Sequence, residues 1–210
     1  MNHIPCTPQN TIILFDLHQV LFSHNYTQML IECIKNIYLI RLLRPALIKK
    51  TINLLRRKGS GQELLVFIEQ HYPHLAHTTA GIVAIANAQK LIPAMHTLVK
   101  ELKTKGYEVH IASNIGETFF DDLYKRHTDF FALFDYIKIV TQQKNNVLIR
   151  KPMPAFFTNY QKEANPQNKN VIFIDDNKKH LHAARAHGFT PVLFKSSQQV
   201  RKIVLQKDPI

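Results

Sequence analysis

Two apolar runs, far apart in the chain, each end in acidic residues. Thr11-Ile12-Ile13-Leu14-Phe15 runs into Asp16, and Val171-Ile172-Phe173-Ile174 runs into Asp175-Asp176. Short continuous apolar runs of this kind suit strands covered on both faces, as in a parallel sheet. A carboxylate at the end of such a strand is poor packing but useful chemistry, because open α/β sheets bind ligands off the carboxyl ends of their strands. Two acidic strand ends predict one acidic pocket, suited to a divalent cation.

The rest of the chain divides into two textures. Residues 25–89 read as helices only. Tyr26 to Leu43 is strongly apolar. Pro45 opens a second helix with Leu47, Ile48, Ile52 and Leu55 on one face. Leu64, Leu65 and Ile68 mark a third, and Ala80 to Lys90 a fourth, rich in alanine. From Pro93 onward helix and strand alternate. Met95, Leu98, Val99 and Leu102 form a helical stripe that Gly106 ends. Strands follow over 107–112, 137–140, 171–174 and 191–194, and helices around Phe119–Leu123 and over 154–163 and 178–187. This alternation predicts an α/β fold with a doubly wound parallel sheet, to which the first strand also belongs. The expected division is therefore a core of residues 1–22 and 90–210 and a helical insertion over 23–89. Asp121-Asp122 reads as a solvated helix face.

Lys plus Arg exceeds Asp plus Glu by 27 − 15 = 12 in the 210 residues. Such a balance favours anionic partners. It is concentrated in the insertion: from Cys33 to Gln62 there are eight basic residues and no acidic one. They are Lys35, Arg41, Arg44, Lys49, Lys50, Arg56, Arg57 and Lys58. That stretch reads as a solvated face or as a surface for phosphorylated substrate, acidic protein or membrane headgroups. Nucleic acid is not favoured, as there is no basic–aromatic RNA motif or zinc finger. Cys6 and Cys33 form no disulfide framework. The amino terminus lacks the form of a signal peptide, and no uncharged apolar run reaches the roughly 18 residues of a spanning helix. A cytoplasmic location is expected.

Four pieces stand in order: Asp16-Leu17-His18-Gln19-Val20-Leu21-Phe22, His110-Ile111-Ala112-Ser113-Asn114, Lys151-Pro152 and Phe173-Ile174-Asp175-Asp176-Asn177. Together they resemble the haloacid dehalogenase (HAD) superfamily, in its dehalogenase and epoxide-hydrolase-phosphatase branch. The resemblance covers essentially the whole chain. It implies a Rossmann-like core, a cap made by the helical insertion, and a hydrolase with Asp16 as nucleophile. A carboxylate can attack phosphorus and form an acyl-phosphate, splitting one hard step into two. Mg²⁺ held by Asp16 and His18 with Asp175 or Asp176 would neutralise the like charges, with Asp176 the likelier direct ligand of the acidic pair by motif position. Lys151 would supply a fixed positive charge, with Lys144 and Arg150 as nearby substitutes. The Ser113 hydroxyl and the backbone N–H groups of Leu17 and Asn114 would cradle the phosphoryl oxygens.

Three positions depart from the family pattern. His18 stands where phosphatases carry the aspartate that protonates the leaving group, and histidine can do acid–base work. His180 stands where relatives have Asn or Asp; it either serves the pocket or is an ordinary exposed histidine. Gln19 replaces the usual glycine, which is expected to alter the turn. The expected activity is a Mg²⁺-dependent phosphatase on a small anionic phosphomonoester. The alternatives are a metal-independent C–X hydrolase of the dehalogenase type, and a protein of low turnover whose basic insertion binds an anionic partner.

Overall fold

The computed structural model describes residues 6–35, 61–71, 73–74, 79–142 and 148–205. The expected helix from Pro45 and most of the basic stretch, from Asn36 to Ser60, lie outside the described residues, as does Lys144.

Contacts divide the chain into two units, Met1–Ser23 with Leu91–Ser113 and Thr128–Ile210, and His24–Lys90 with Asn114–His127. The first unit holds the sheet. Its strands are β1 (Thr11–Phe15), β4 (Glu108–Ala112), β5 (Tyr136–Lys138), β8 (Asn170–Asp175) and β9 (Thr190–Leu193). They lie in the order β5-β4-β1-β8-β9, with every pairing parallel. The α/β, doubly wound class expected from the sequence is therefore the observed one. β1 is central, and residues 12–15 are at most 1% exposed. Helices Pro93–Thr104, Pro154–Ala164, Lys178–Ala186 and Ser197–Leu205 accompany these strands. Gly106 and Gly188 follow two of them at φ +82°, the left-handed conformation that glycine reaches without Cβ strain.

Strand alternation sends Ile12 and Leu14 into one core, where they meet Phe156, Phe157, Tyr160, Phe173, Leu181 and Phe189. Phe157 is the hub. Its ring centroid is 5.4 Å from His187, 5.6 Å from Phe156, 5.7 Å from Phe189 and 6.2 Å from Phe173. A polar thread runs through this core. His110 Nδ1 lies 2.7 Å from the Tyr160 hydroxyl and Nε2 2.9 Å from Glu108. A carboxylate only accepts, so Nε2 carries the proton and Tyr160 donates to Nδ1. Burial holds the His110 imidazole below its ordinary value, outweighing the pull of Glu108.

The second unit is helical: Tyr26–Lys35, Gly61–His71, Thr79–Ala86 and Glu117–Arg126. The last of these was expected with the core. Asn87 explains its position, because its side chain donates to Phe119 O at 2.7 Å and to Asp122 Oδ2 at 3.0 Å. Arg126 closes the motif by donating to Asn87 O at 2.8 Å and to Asp122 Oδ2 at 2.9 Å. Asp122, its side chain 41% exposed, lies on the solvated face expected for it and also serves as a structural acceptor. The alanine-rich helix stops at Ala86, and the segment expected to continue it becomes a strand. That strand, β3 (Gln89–Leu91), pairs with β2 (Phe22–His24). A second small ribbon joins β6 (Thr141–Gln142) to β7 (Leu148–Ile149).

Phe157→Ala empties the centre of the aromatic cluster and is expected to cost about 3–5 kcal/mol. Urea unfolding followed by circular dichroism measures it; a loss under 1 kcal/mol would mean the cluster closes over the gap.

Candidate active site

The parallel register sets the site. Phe15 is level with Ile174 on one side and Ile111 on the other, and Asp16 N–H continues the ladder to Ile174 O at 2.8 Å. Asp16, Ser113 and Asp175 therefore come together at the carboxyl ends of three adjacent strands. Asp16 and Asp175 are buried, at 6% and 0% exposure.

Lys151 ties them. Its Nζ donates to Asp16 Oδ1 at 2.8 Å, to Asp175 Oδ2 at 2.8 Å and to Ala112 O at 2.6 Å. An ammonium has three hydrogens, and these contacts use all three. Burial disfavours the charge on Lys151, but Asp16 and then Asp175 more than reverse this and hold its pKa above the ordinary lysine value. It is Lys151, not its neighbour Arg150, that takes this place.

Asp175 is saturated. Besides Lys151 it accepts from Asn177 N–H at 2.7 Å, and His180 Nδ1 lies 3.1 and 3.0 Å from its two oxygens. His180 is therefore a partner of the pocket and not an exposed helix residue; Nδ1 carries the proton, since the carboxylate only accepts. Asn177 in turn caps the helix from Lys178 by accepting from Lys179 N–H. Burial would raise the Asp175 pKa, but the Lys151 charge and the His180 hydrogen bond carry it below the ordinary carboxylate range. Asp176 is the opposite case. It is exposed, yet partial burial and then the charges of Asp16 and Asp175 push its pKa up.

One oxygen each from Asp16, Asp175 and Asp176 lie within 4.8 Å of one another. Three hard oxygen donors in a residual negative field fit a hard divalent cation. Asp16 Oδ2 takes no hydrogen bond from the described residues, whereas Asp175 is filled. Asp16 and Asp176 are accordingly the donors with room for an ion. His18, expected among the metal residues, offers no side-chain ligand to this cluster of Asp16, Asp175 and Asp176. Its loop is fixed by its own backbone bonds: Gln19 N–H to Phe22 O at 2.6 Å, and Leu21 and Phe22 N–H to Leu17 O at 3.0 and 2.9 Å. His18 itself forms a backbone bridge with Phe22. The same bonds hold Gln19 at φ +62°. The turn that glycine would make is thus kept by a residue with a Cβ, at a cost of about 1 kcal/mol. The Leu17 side chain is wholly buried. Ser113 is also wholly buried, and its Oγ has no hydrogen-bond partner. Asn114, the next residue, begins the segment that belongs to the helical unit.

The haloacid dehalogenase-like hydrolase family model matches residues 12–188. The chain belongs to this family. It is 30% identical over 131 residues to drimenol cyclase drtB of Aspergillus calidoustus, a match covering 61% of this chain and 23% of that protein. The chain thus corresponds to about a quarter of that relative. Among solved structures, a HAD family enzyme of Bacteroides thetaiotaomicron superposes with a TM-score of 0.65 at 16% identity, covering 92% of this chain and 97% of that one. Its complex with magnesium and inorganic phosphate gives a TM-score of 0.60 at 19% identity, covering 88% and 94%. A dehalogenase with an intermediate complex gives 0.62 at 14% identity, covering 97% and 99%. These likenesses establish the HAD fold. Among the described residues no helix is long and apolar enough to cross a membrane.

Lys151→Met leaves the two buried carboxylates facing each other. Removing one partner of a buried ion pair costs about 3–5 kcal/mol, and that is the loss expected at pH 7. In the native protein Asp175 is depressed, so its stabilising contribution is full above its ordinary value of 3.8 and is lost as pH falls through the lower folded value. Without Lys151, burial would raise the carboxylates, so the variant regains stability on acidification. Urea titrations at pH 7 and pH 4.5 should show the deficit shrinking; an equal deficit at both would remove charge from the explanation.

Proposed function

We propose that this HAD-family hydrolase is a Mg²⁺-dependent phosphatase acting on a small anionic phosphomonoester through an aspartyl-phosphate on Asp16. The observation that carries the reading is the state of Asp16: Lys151 fixes Oδ1 at 2.8 Å, Oδ2 is unbonded among the described residues, and one Asp16 carboxylate oxygen lies within 4.8 Å of one from Asp176. Such a carboxylate is oriented for attack and does not need to break a hydrogen bond first.

In this reading Asp176, with the Asp16 oxygen that Lys151 holds, would bind Mg²⁺, which would offset the negative charge that otherwise repels a phosphate ester and leave Asp16 Oδ2 for the attack. Asp16 Oδ2 attacks phosphorus, and the P–O bond to the leaving group breaks. The His18 imidazolium gives its proton to the departing alkoxide. Water then attacks phosphorus of the acyl-phosphate while neutral His18 takes its proton, releasing inorganic phosphate and restoring the carboxylate. Ser113 Oγ donates to a phosphoryl oxygen, and the N–H groups of Leu17 and Asn114 complete the cradle. Lys151 contributes charge and alignment only, because its hydrogens are already engaged. His180 positions Asp175, and through it Lys151. Residues 23–89 serve as the cap, their basic stretch favouring anionic substrates, in a cytoplasmic enzyme. A metal-independent C–X hydrolase is the second reading. It is favoured by the missing aspartate at position 18, since a departing halide needs no proton.

Asp16→Asn is expected to abolish hydrolysis of aryl and alkyl phosphates with the fold intact, and chelation of Mg²⁺ to do the same. Retained phosphatase activity in either case would sink the proposal; halide release that persists under chelation would favour the second reading. No turnover on either substrate class, with anionic ligands still bound, would point to a binding protein.

His18→Ala should lower kcat/KM on alkyl phosphates by about 10²–10⁴, the usual worth of acid–base catalysis. The loss should be smaller on p-nitrophenyl phosphate, whose leaving group needs no proton. Equal losses on both, or none, would take His18 out of proton transfer.

A further inference from the structure

The helix Tyr26–Lys35 presents its apolar side to solvent. Tyr26 is 69% exposed, Leu30 61%, Ile34 64% and Ile31 40%. Tyr26, Leu30 and Ile34 are spaced i, i+4, i+8 and form one stripe, flanked by Ile31 and the exposed Cys33. The half-buried side carries Gln28, Met29 and Glu32, and the helix packs against Thr79–Ala86. Glu32 Oε1 accepts from Gln28 Nε2 at 2.7 Å and from Lys35 Nζ at 3.2 Å, so these polar groups pair within the helix. A surface helix of a soluble protein normally turns its apolar stripe to the core. A contiguous apolar patch turned outward marks a contact surface.

Charge decides what covers it. The chain carries twelve more positive than negative side chains, and eight basic residues with no acidic one lie between Cys33 and Gln62. A second copy would bring the same charge. One face of a ten-residue helix, about 15 Å long and 10 Å wide, is also far short of the roughly 800 Å² per partner of a stable complex. An anionic bilayer answers both features, with hydrocarbon beneath a layer of negative headgroups. Coulomb attraction to that layer requires no particular fold of the basic run. Tyr26 closes one end of the stripe with an amphipathic ring suited to headgroup level. As no described helix can cross a membrane, the contact is interfacial.

We propose that the helix Tyr26–Lys35 docks on anionic lipid bilayers, with Tyr26, Leu30, Ile31 and Ile34 entering the interface and the basic surplus of the chain drawing it to the surface. This surface is independent of the phosphatase reading and holds the protein beside a membrane whatever its substrate.

The test uses the full chain and vesicles of phosphatidylcholine with phosphatidylserine, two to one, against phosphatidylcholine alone. Co-sedimentation is expected with the anionic vesicles and should weaken as salt is raised. Changing Leu30→Gln and Ile34→Gln together keeps good helix formers and removes the stripe. Affinity should fall about 10- to 100-fold with the melting temperature unchanged. The chain has no tryptophan, so Leu30→Trp supplies a single reporter. Its emission should shift to the blue on anionic vesicles and be quenched by brominated lipid. Absence of vesicle binding at low salt would overturn the proposal. Equal binding by the double variant, or an unshifted tryptophan, would leave the membrane to the basic residues alone and remove the helix. A double variant that melts several degrees lower would show the stripe covered by the chain itself, and a dimer that it dissociates would assign the stripe to a second copy; either result overturns the proposal.

Discussion

A single ammonium group with no access to water holds the pocket together. Lys151 is 1% exposed, and its three hydrogen bonds reach groups at the ends of β1, β4 and β8. Carboxylates at the ends of adjacent parallel strands would repel one another in a low dielectric. The lysine turns that repulsion into mutual attraction. Desolvating a lysine and two aspartates is costly, and such clusters seldom add much net stability over an apolar core. What the cluster achieves is definition: it fixes which oxygen of Asp16 is committed and which is left available.

The two aspartates that close β8 have different tasks although they are neighbours in sequence. Asp175 points into a shell of donors from Lys151, Asn177 and His180. Asp176 is exposed and carries the like-charge tension of the other two. Strand alternation sends successive side chains to opposite sides, so a pair of this kind naturally yields one buried anchor and one open donor. His180 fits the anchor's side of the arrangement, one helical turn beyond Asn177.

Much of this was legible in the sequence. The β1 and β8 runs and their terminal acids located the sheet and the pocket, and Gly106 and Gly188 marked real helix ends. Lys151 was identifiable because it precedes Pro152 in the right order among the motifs; its burial and threefold bonding were not. The segments missed are short. Three residues of β2 or β3 and two of β6 or β7 contain too little periodicity to register, and they exist because a partner strand is near. The alanine-rich stretch looked helical beyond Ala86 because propensity ignores such pairing. The helix Ser197–Leu205 went unread, although Val200 and Val204 are spaced as one buried face. At Gln19 residue type misled: local preference opposes a left-handed turn, and the loop's own hydrogen bonds override it.

The closure where the helical insertion leaves and rejoins the chain has an evolutionary consequence. Leu21 O accepts from Ile92 N–H at 2.9 Å, and Asn25 N–H donates to Ala88 O at 2.9 Å. The entry and exit strands are thus fastened side by side before the intervening residues are counted. Lengthening a loop whose ends are already joined costs little, about 0.6 kcal/mol per doubling. The passage therefore behaves as a socket. What is plugged into it can be enlarged, trimmed or exchanged over generations while the sheet and its carboxylates keep their register.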